Sequence, residues 1–372
     1  METVLLAGAR TPFCAWARGR KGDGSRGGAL AALDPFELGG AALRGAWDRA
    51  GHVPDRVVWA NAYQDGPHGC YGARYAAWKA GLPPKVPALT VNFACGGGLS
   101  AVIEAAQDIA TGDAAAVLAG GADCPSRVSK EIFAPSFTDV SCSSPIAAAV
   151  EGLAKEAEIS RADQDRWALE SHRRALAARA RLAEEVVAAG GVAADDIASE
   201  NLTPADLAAA KAVHPFGLVT ARNTHALADG GAAVYLAEAG WAKSRGLKPL
   251  ARVVAGAYAG VAPARMGVAS VPAVRAALAK ASWKASDVDL WEINETFAAQ
   301  LLLDAQELDL DLGRVNVNGG AVALGHPFAA SGARLLLGAA LELRRRGLRR
   351  AGTAVCVGGG LGVAVLLEAM LE

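Results

Sequence analysis

Short apolar runs closed by glycine alternate along the chain with alanine-rich stretches in which apolar positions recur every three or four residues. Buried strands and packing helices of an α/β fold leave this pattern. It predicts strands over 4–7, 57–60, 88–92, 115–119, 232–236 and 354–357, and helices over 35–50, 98–110, 271–280 and 331–346. From 125 to 218 the strand signal fades and charged amphipathic helices take over, with one long helix predicted over 160–189. This middle stretch reads as an insertion or cap between two α/β parts.

The two parts echo one another. In the first, Thr90-Val91-Asn92 leads into Cys95-Gly96-Gly97-Gly98 and a helix; in the second, Val315-Asn316-Val317-Asn318-Gly319-Gly320 leads through Gly325-His326-Pro327 to a helix near Ser331. An internal duplication follows as an expectation. Each half would then present a chemically capable side chain at a strand-to-helix junction, where open α/β sheets expose their functional groups.

Composition narrows the class. With 372 residues, 52% of them hydrophobic, the chain can bury a large core and suits two or three globular units. Its 37 basic against 38 acidic residues exclude the broad cationic field of a nonspecific nucleic-acid binder, so no nucleic-acid partner is expected. The six cysteines include no Cys-x-x-Cys pair and no adjacent histidine cluster, which argues against a metal site and for free thiols in the reducing cytoplasm. The start lacks a basic region and a long apolar run, so no secretion signal is expected. No stretch approaches the roughly 20 apolar residues of a membrane span, so no membrane partner is expected either.

Three residues carry candidate chemistry. Cys95 precedes a glycine run and a helix, where backbone N–H groups and the helix dipole favour a thiolate and can hold an oxyanion. His326 lies between glycine and proline, and Cys356 ends a strand before Gly358-Gly359-Gly360. Taken singly, a structural role outweighs a catalytic one for Cys95 at roughly three to one, at least balances it for His326, and is equally open to Cys356 as a core thiol, because free cysteines are commonly buried. The glycine-rich tail does not make a dinucleotide site, since the following helix and acidic ribose ligand are missing.

Taken together these residues resemble the thiolase family along nearly the whole chain. The resemblance rests on Ala9-Arg10-Thr11-Pro12-Phe13, Val91-Asn92-Phe93-Ala94-Cys95-Gly96-Gly97-Gly98-Leu99, Ile159-Ser160-Arg161 with Gln164-Asp165 and Ser171-His172, and Asn294-Glu295-Thr296-Phe297-Ala298-Ala299-Gln300. It continues through Asn316-Val317-Asn318-Gly319-Gly320, Gly325-His326-Pro327, Ala330-Ser331-Gly332-Ala333-Arg334 and Cys356-Val357-Gly358-Gly359-Gly360-Leu361-Gly362.

The resemblance implies an α/β thiolase-like fold of five layers, α/β/α/β/α. An N-terminal half would span 1–121 plus 229–264, a mainly helical cap 122–228, and a C-terminal half 265–372. It implies an acyl-CoA acyltransferase that thiolytically cleaves 3-oxoacyl-CoA, or condenses two acyl-CoAs, by a ping-pong route through acyl-Cys95. His326 would activate Cys95 and Cys356 would be the acid/base. His326 and a water on Asn294 would hold one oxyanion, the backbone N–H groups of Cys95 and Gly358 the other. Phe216, Ala221, Arg222, His225, Met266, Thr296 and Phe297 would contact substrate or CoA. Coenzyme A is then substrate and product, with no resident cofactor and no metal.

Several positions depart from the family pattern. Arg222 stands where glycine is usual, and reads either as a phosphate contact or as a solvated loop arginine. His225 stands where serine is usual, and would either hydrogen-bond the pantetheine amide or narrow its tunnel. Gly120-Gly121-Ala122-Asp123-Cys124 and Ser144-Pro145-Ile146-Ala147-Ala148-Ala149 alter the pocket lining, and Ala269-Ser270 replaces a glycine-proline pair. The segment between Gly121 and Ile159 is short for the family, which points to a homodimer. Two other readings remain: a catalytically weak CoA-binding or scaffolding subunit, and a ketosynthase-type condensing enzyme, against which Cys356 argues because that chemistry uses histidine or asparagine there.

Overall fold

Helix α1 (Pro35–Ala50) illustrates how local chemistry sets the elements. Asp34 accepts from Phe36 N and Glu37 N, Glu37 reaches back to Asp34 N, Pro35 fills the first turn, and Gly51 closes the helix at φ 74°. The computed structural model describes residues 1–17, 28–215 and 217–370. Its first α/β part contains β1 (Thr3–Arg10), α1, β2 (Arg56–Ala60), α2 (Gly72–Lys79), β3 (Ala88–Val91), α3 (Gly97–Thr111) and β4 (Ala116–Asp123). Then come α4 (Ile146–Glu156) and α5 (Arg161–Ala177), followed by β5 (Ala228–Glu238). The second part contains β6 (Ala251–Gly260), α6 (Ser270–Ala281), β7 (Leu290–Ile293), α7 (Ala298–Leu308), α8 (Ala329–Arg346), β8 (Arg350–Val357) and β9 (Leu361–Ala369).

The strand order is β7-β8-β9-β6-β1-β5-β4-β2-β3. The two parts join only where Thr3 to Leu5 of β1 pair with Ala251 to Val253 of β6. On either side of that seam the pairings repeat. In the first part β3 and β4 lie parallel to β2, and β5 runs antiparallel to β4 and β1. In the second part Val315 and β8 lie parallel to β7, and β9 runs antiparallel to β8 and β6. The duplication read from the two strand-to-helix junctions is therefore real in the topology.

Three apolar cores stack these elements into layers. One packs α1 and α2 on the outer face of the first part. The central core packs α3 and α8 between strands of both parts, and the third packs α6 and α7 on the outer face of the second. α3 and α8 cross so closely that a Cβ on Gly98 would lie 2.6 Å from the Ala329 carbonyl oxygen, and one on Gly332 2.4 Å from Leu99 N. The expected five layers are present.

The middle stretch is helical but not one long helix. α5 ends at Ala177, a short turn covers Arg179–Ala183, and the chain then extends alongside β1, with Arg10 N donating to Glu185 O (2.9 Å) and Val187 N to Arg10 O (2.8 Å). A buried ion pair of Arg10 with Glu185 (2.9 Å) adds to this docking, so tertiary pairing overrides the helical periodicity read over 160–189. Strands β6, β7 and β9 were not foreseen. Six of the ten residues of β6 are alanine or glycine, residues that carry little intrinsic strand preference, and it becomes a strand by pairing on both edges. No helix among the described residues is long and apolar enough to cross a membrane.

Candidate active site

Cys95 sits in a tight turn, Ala94–Gly96, between β3 and α3. Ala94 there adopts φ 42°, and Asn92 Oδ1 accepts from its N–H at 2.9 Å while Asn92 Nδ2 donates to Ala62 O at 3.2 Å. The thiol is partly exposed and packs beside Phe328. Burial, then the Asp123 carboxylate, push it up to about 12, opposed by the backbone N–H groups of Cys95 and Gly358. The resting group is therefore a thiol and not the helix-start thiolate expected from sequence: desolvation outweighs the dipole. A side chain at Gly358 would meet nothing within 4 Å, leaving room for a ligand.

His326 lies in the loop ahead of α8, its backbone N–H held by Ala226 O at 2.8 Å. Its ring is fully buried, with Nδ1 2.6 Å from Ser331 Oγ and Nε2 3.5 Å from Asn294 Nδ2. Burial, aided by His225, drives its ionisation well below the usual imidazole range, so the ring is neutral. With Nδ1–H donating to Ser331, Nε2 keeps its lone pair toward the site.

Cys356, the penultimate residue of β8, donates from Sγ to Thr296 Oγ1 at 3.3 Å, and Asn294 Nδ2 donates to the same hydroxyl at 3.0 Å. Burial and the Asp304 carboxylate push this thiol up, and Cys95 also acts on it electrostatically. The residues that the sequence singled out from four separate segments thus share one locus.

A cavity of about 300 Å³ adjoins this locus, its wall formed largely by Phe137, Ile146, His214, Ala221, His225 and Phe297. Of the residues assigned to substrate or CoA, Ala221, His225 and Phe297 line it. The His225 ring stands edge-on to His326 with centroids 5.1 Å apart, and its Nδ1 donates to Thr296 O at 2.8 Å. Met266 is buried behind the wall in a cluster with Phe297 and Cys356. Thr296 lies between Asn294 and Cys356, away from the cavity wall. Arg222 anchors its loop through a backbone N–H on Thr220 Oγ1 (3.1 Å) and acts on Asp206 electrostatically. Phe216 lies outside the described residues.

Other contributors are not among the residues singled out from the sequence. Ser331 orients His326 across one turn of α8, and Asp123 accepts from Ala329 N at 2.9 Å, tying β4 to the head of α8. Glu295, beside the candidate Asn294, is a staple: it accepts from Trp167 Nε1, Ser171 Oγ, Asn316 Nδ2 and Val322 N, all within 3.0 Å. It fastens α5 to the second part. No cluster of His, Cys, Asp and Glu suited to a metal occurs among the described residues.

Two family models match the chain, one described as the thiolase N-terminal domain over residues 17–240 and one as the thiolase C-terminal domain over 247–369. An acetyl-CoA acetyltransferase of Cupriavidus necator is 37% identical, and the match covers 99% of each chain. A beta-ketothiolase of the same organism has the same identity and coverage. Among solved structures, human mitochondrial 3-ketoacyl-CoA thiolase in complex with CoA superposes with a TM-score of 0.92 at 33% identity, covering 100% of this chain and 98% of that one. The Bacillus anthracis acetyl-CoA acetyltransferase superposes with a TM-score of 0.92 at 34% identity, covering 99% of each.

Proposed function

The chain belongs to the thiolase family, and from that premise we propose that it is an acyl-CoA acyltransferase working through an acyl-Cys95 intermediate. The observation that carries this reading is the linked geometry of the candidates: Asn294 Nδ2 lies 3.5 Å from His326 Nε2 and donates to Thr296 Oγ1, which also meets Cys356 Sγ, while Cys95 packs on the cluster of Phe328 beside the His326 ring. In cleavage, His326 Nε2 takes the Cys95 thiol proton and the sulfur attacks the keto carbon of a 3-oxoacyl-CoA. The backbone N–H groups of Cys95 and Gly358 hold the resulting oxyanion. Its collapse breaks the Cα–Cβ bond, leaving an acyl group on Cys95, and the departing enolate takes the Cys356 proton. Free CoA then gives its thiol proton to the Cys356 thiolate and attacks the acyl group, and Cys95 leaves, taking back the proton held on His326. Run backwards, Cys356 as thiolate removes the α-proton of an acyl-CoA and the carbanion attacks acyl-Cys95.

His326 and a water held by Asn294 stabilise the thioester enolate in this reading. Ala221, His225 and Phe297 line the way for the pantetheine arm, with Arg222, Met266 and Thr296 behind or beside it, and Phe216 contacts the same substrate in this reading. Coenzyme A serves as substrate and product, and the working unit is a cytoplasmic homodimer. Edge strand β3, with Leu89 exposed, supports the dimer, and sedimentation giving a stable tetramer at micromolar concentration overturns it. A second reading, a CoA-binding subunit of weak activity, is favoured by the His225 ring crowding His326.

Intact mass measurement after brief incubation with acetyl-CoA and longer acyl-CoAs, followed by peptide mapping, separates the two. An acyl adduct on Cys95 that free CoA removes is expected. A folded protein that binds CoA yet forms no adduct with any of them overturns the enzymatic reading in favour of the subunit.

A further inference from the structure

Behind Cys356 runs a buried polar chain that the mechanism above does not use. Asp304 on α7 is fully buried, and its Oδ2 accepts from Ser270 Oγ at 2.7 Å and from Gln300 Nε2 at 2.5 Å. Its Oδ1 has no partner among the described residues. Because a carboxylate only accepts, it fixes which way the Gln300 amide faces, leaving Gln300 Oε1 to accept from Thr296 N (3.1 Å) and Phe297 N (3.4 Å). Thr296 in turn offers its hydroxyl to both Cys356 Sγ and Asn294 Nδ2. Every link from Ser270 to Cys356 is side chain to side chain or side chain to the first backbone N–H groups of α7.

We propose that Asp304 is a positioning residue for the acid/base thiol: it aligns Thr296 through Gln300, and its buried negative charge discourages a resting thiolate at Cys356. The inference rests on the acid/base reading of Cys356. It gives the two thiols different work. Cys95, in the turn ahead of α3, serves as the nucleophile, whereas Cys356 faces a hydroxyl backed by a carboxylate and is kept as an acid. When Cys356 accepts a substrate α-proton it does so as thiolate, and the Thr296 hydroxyl then turns to donate to it.

Burial pushes Asp304 up to about 7, with Ser270 and Gln300 opposing and Glu307 on the same helix adding. Of the other charged and titratable groups on elements packed against α7, Glu151 pairs with Lys155 and Glu156 with Arg265 at α4; Arg161 pairs with Asp165, Arg166 with Asp163, and Arg173 and Arg174 with Glu170 on α5, where His172 accepts from Ser199 N; on α6, Arg275 pairs with Glu307 and Lys280 donates to Gly256 O. Cys356 remains the group that feels the Asp304 charge.

The test is the pH dependence of enzyme-catalysed exchange of acetyl-CoA methyl hydrogens in deuterated water, measured beside the rate of Cys95 acylation. Removing a like charge lowers the pH at which the thiol ionises, so in Asp304→Asn the rise of exchange with pH moves down by about one unit while acylation stays within about twofold. Ser270→Ala, which removes only one donor to the carboxylate, moves it the same way by less. Profiles for both variants that superpose on the parent's, with exchange abolished in Cys356→Ala, overturn the role of Asp304. Exchange that survives in Cys356→Ala overturns the acid/base reading itself, and this inference with it.

Discussion

Ala94 and Phe328 flank the candidate residues Cys95 and His326, one residue ahead of the first and two after the second, and both adopt positive φ, 42° and 31°. Side-chain-bearing residues rarely do so, and the surrounding packing must hold them there. In Ala94→Val, a β-branched residue at positive φ is expected to cost about 2 kcal/mol, whereas Ala94→Gly stays within about 0.5 kcal/mol of the parent in urea denaturation.

The two thiols are expected to separate by half-reaction. Cys95→Ala abolishes acyl-enzyme formation. Cys356→Ala still acylates, and mass measurement shows the adduct, but carbon–carbon bond formation and cleavage fall to background.

Ser331 supplies the hydroxyl that fixes the His326 tautomer at 2.6 Å. Losing one such bond costs on the order of 1 kcal/mol. Ser331→Ala is therefore expected to slow Cys95 acylation about five- to tenfold in rapid-quench measurements, with the melting temperature nearly unchanged.

His326 must be neutral to take the Cys95 proton, and burial together with His225 keeps it so. In His225→Ser the ring loses a neighbour that opposes its charge and gains access to solvent, so its ionisation moves up. The acid limb of the acylation profile is expected to shift to higher pH, and a limb that does not move argues that His225 leaves His326 untouched.

Glu292 is buried beside Arg334, and burial pushes it up to about 8 from an ordinary 4.5, with Glu185, Glu342 and Glu295 adding to the effect and Arg334 opposing it. A carboxyl raised in the folded state contributes stability that is complete below its unfolded value and lost as pH rises through its folded one. Between pH 5 and pH 8 the parent is therefore expected to lose stability through this group, on the order of a few kcal/mol. Glu292→Gln should flatten that loss, read as a smaller drop in melting temperature across the same interval.

Helix α1 was legible to the residue because its capping box, proline and terminal glycine lie within a few positions of its ends. β6 was not, because alanine and glycine become a strand only when β1 and β9 flank them. Cys95, His326, Cys356 and Asn294 were legible as candidates from short motifs, and the structure brings them to one locus. Ser331 could have been suspected from its place five residues after His326. Asp304 could not, since an acidic residue in a helix ordinarily faces solvent.

Apolar periodicity, turn residues and two glycine-flanked junctions were enough to specify an α/β chain, its duplication and the thiols worth testing, because each depends on neighbours a few residues away. The charge state of those groups was decided elsewhere. That Cys95 rests as a thiol depends on desolvation and on Asp123, which arrives from another strand. That Cys356 meets Thr296 depends on the turn ahead of α7 closing on the end of β8, sixty residues away in sequence. Desolvation and distant charge are sums over everything that surrounds a group, and those surroundings exist only once the two halves have closed on each other.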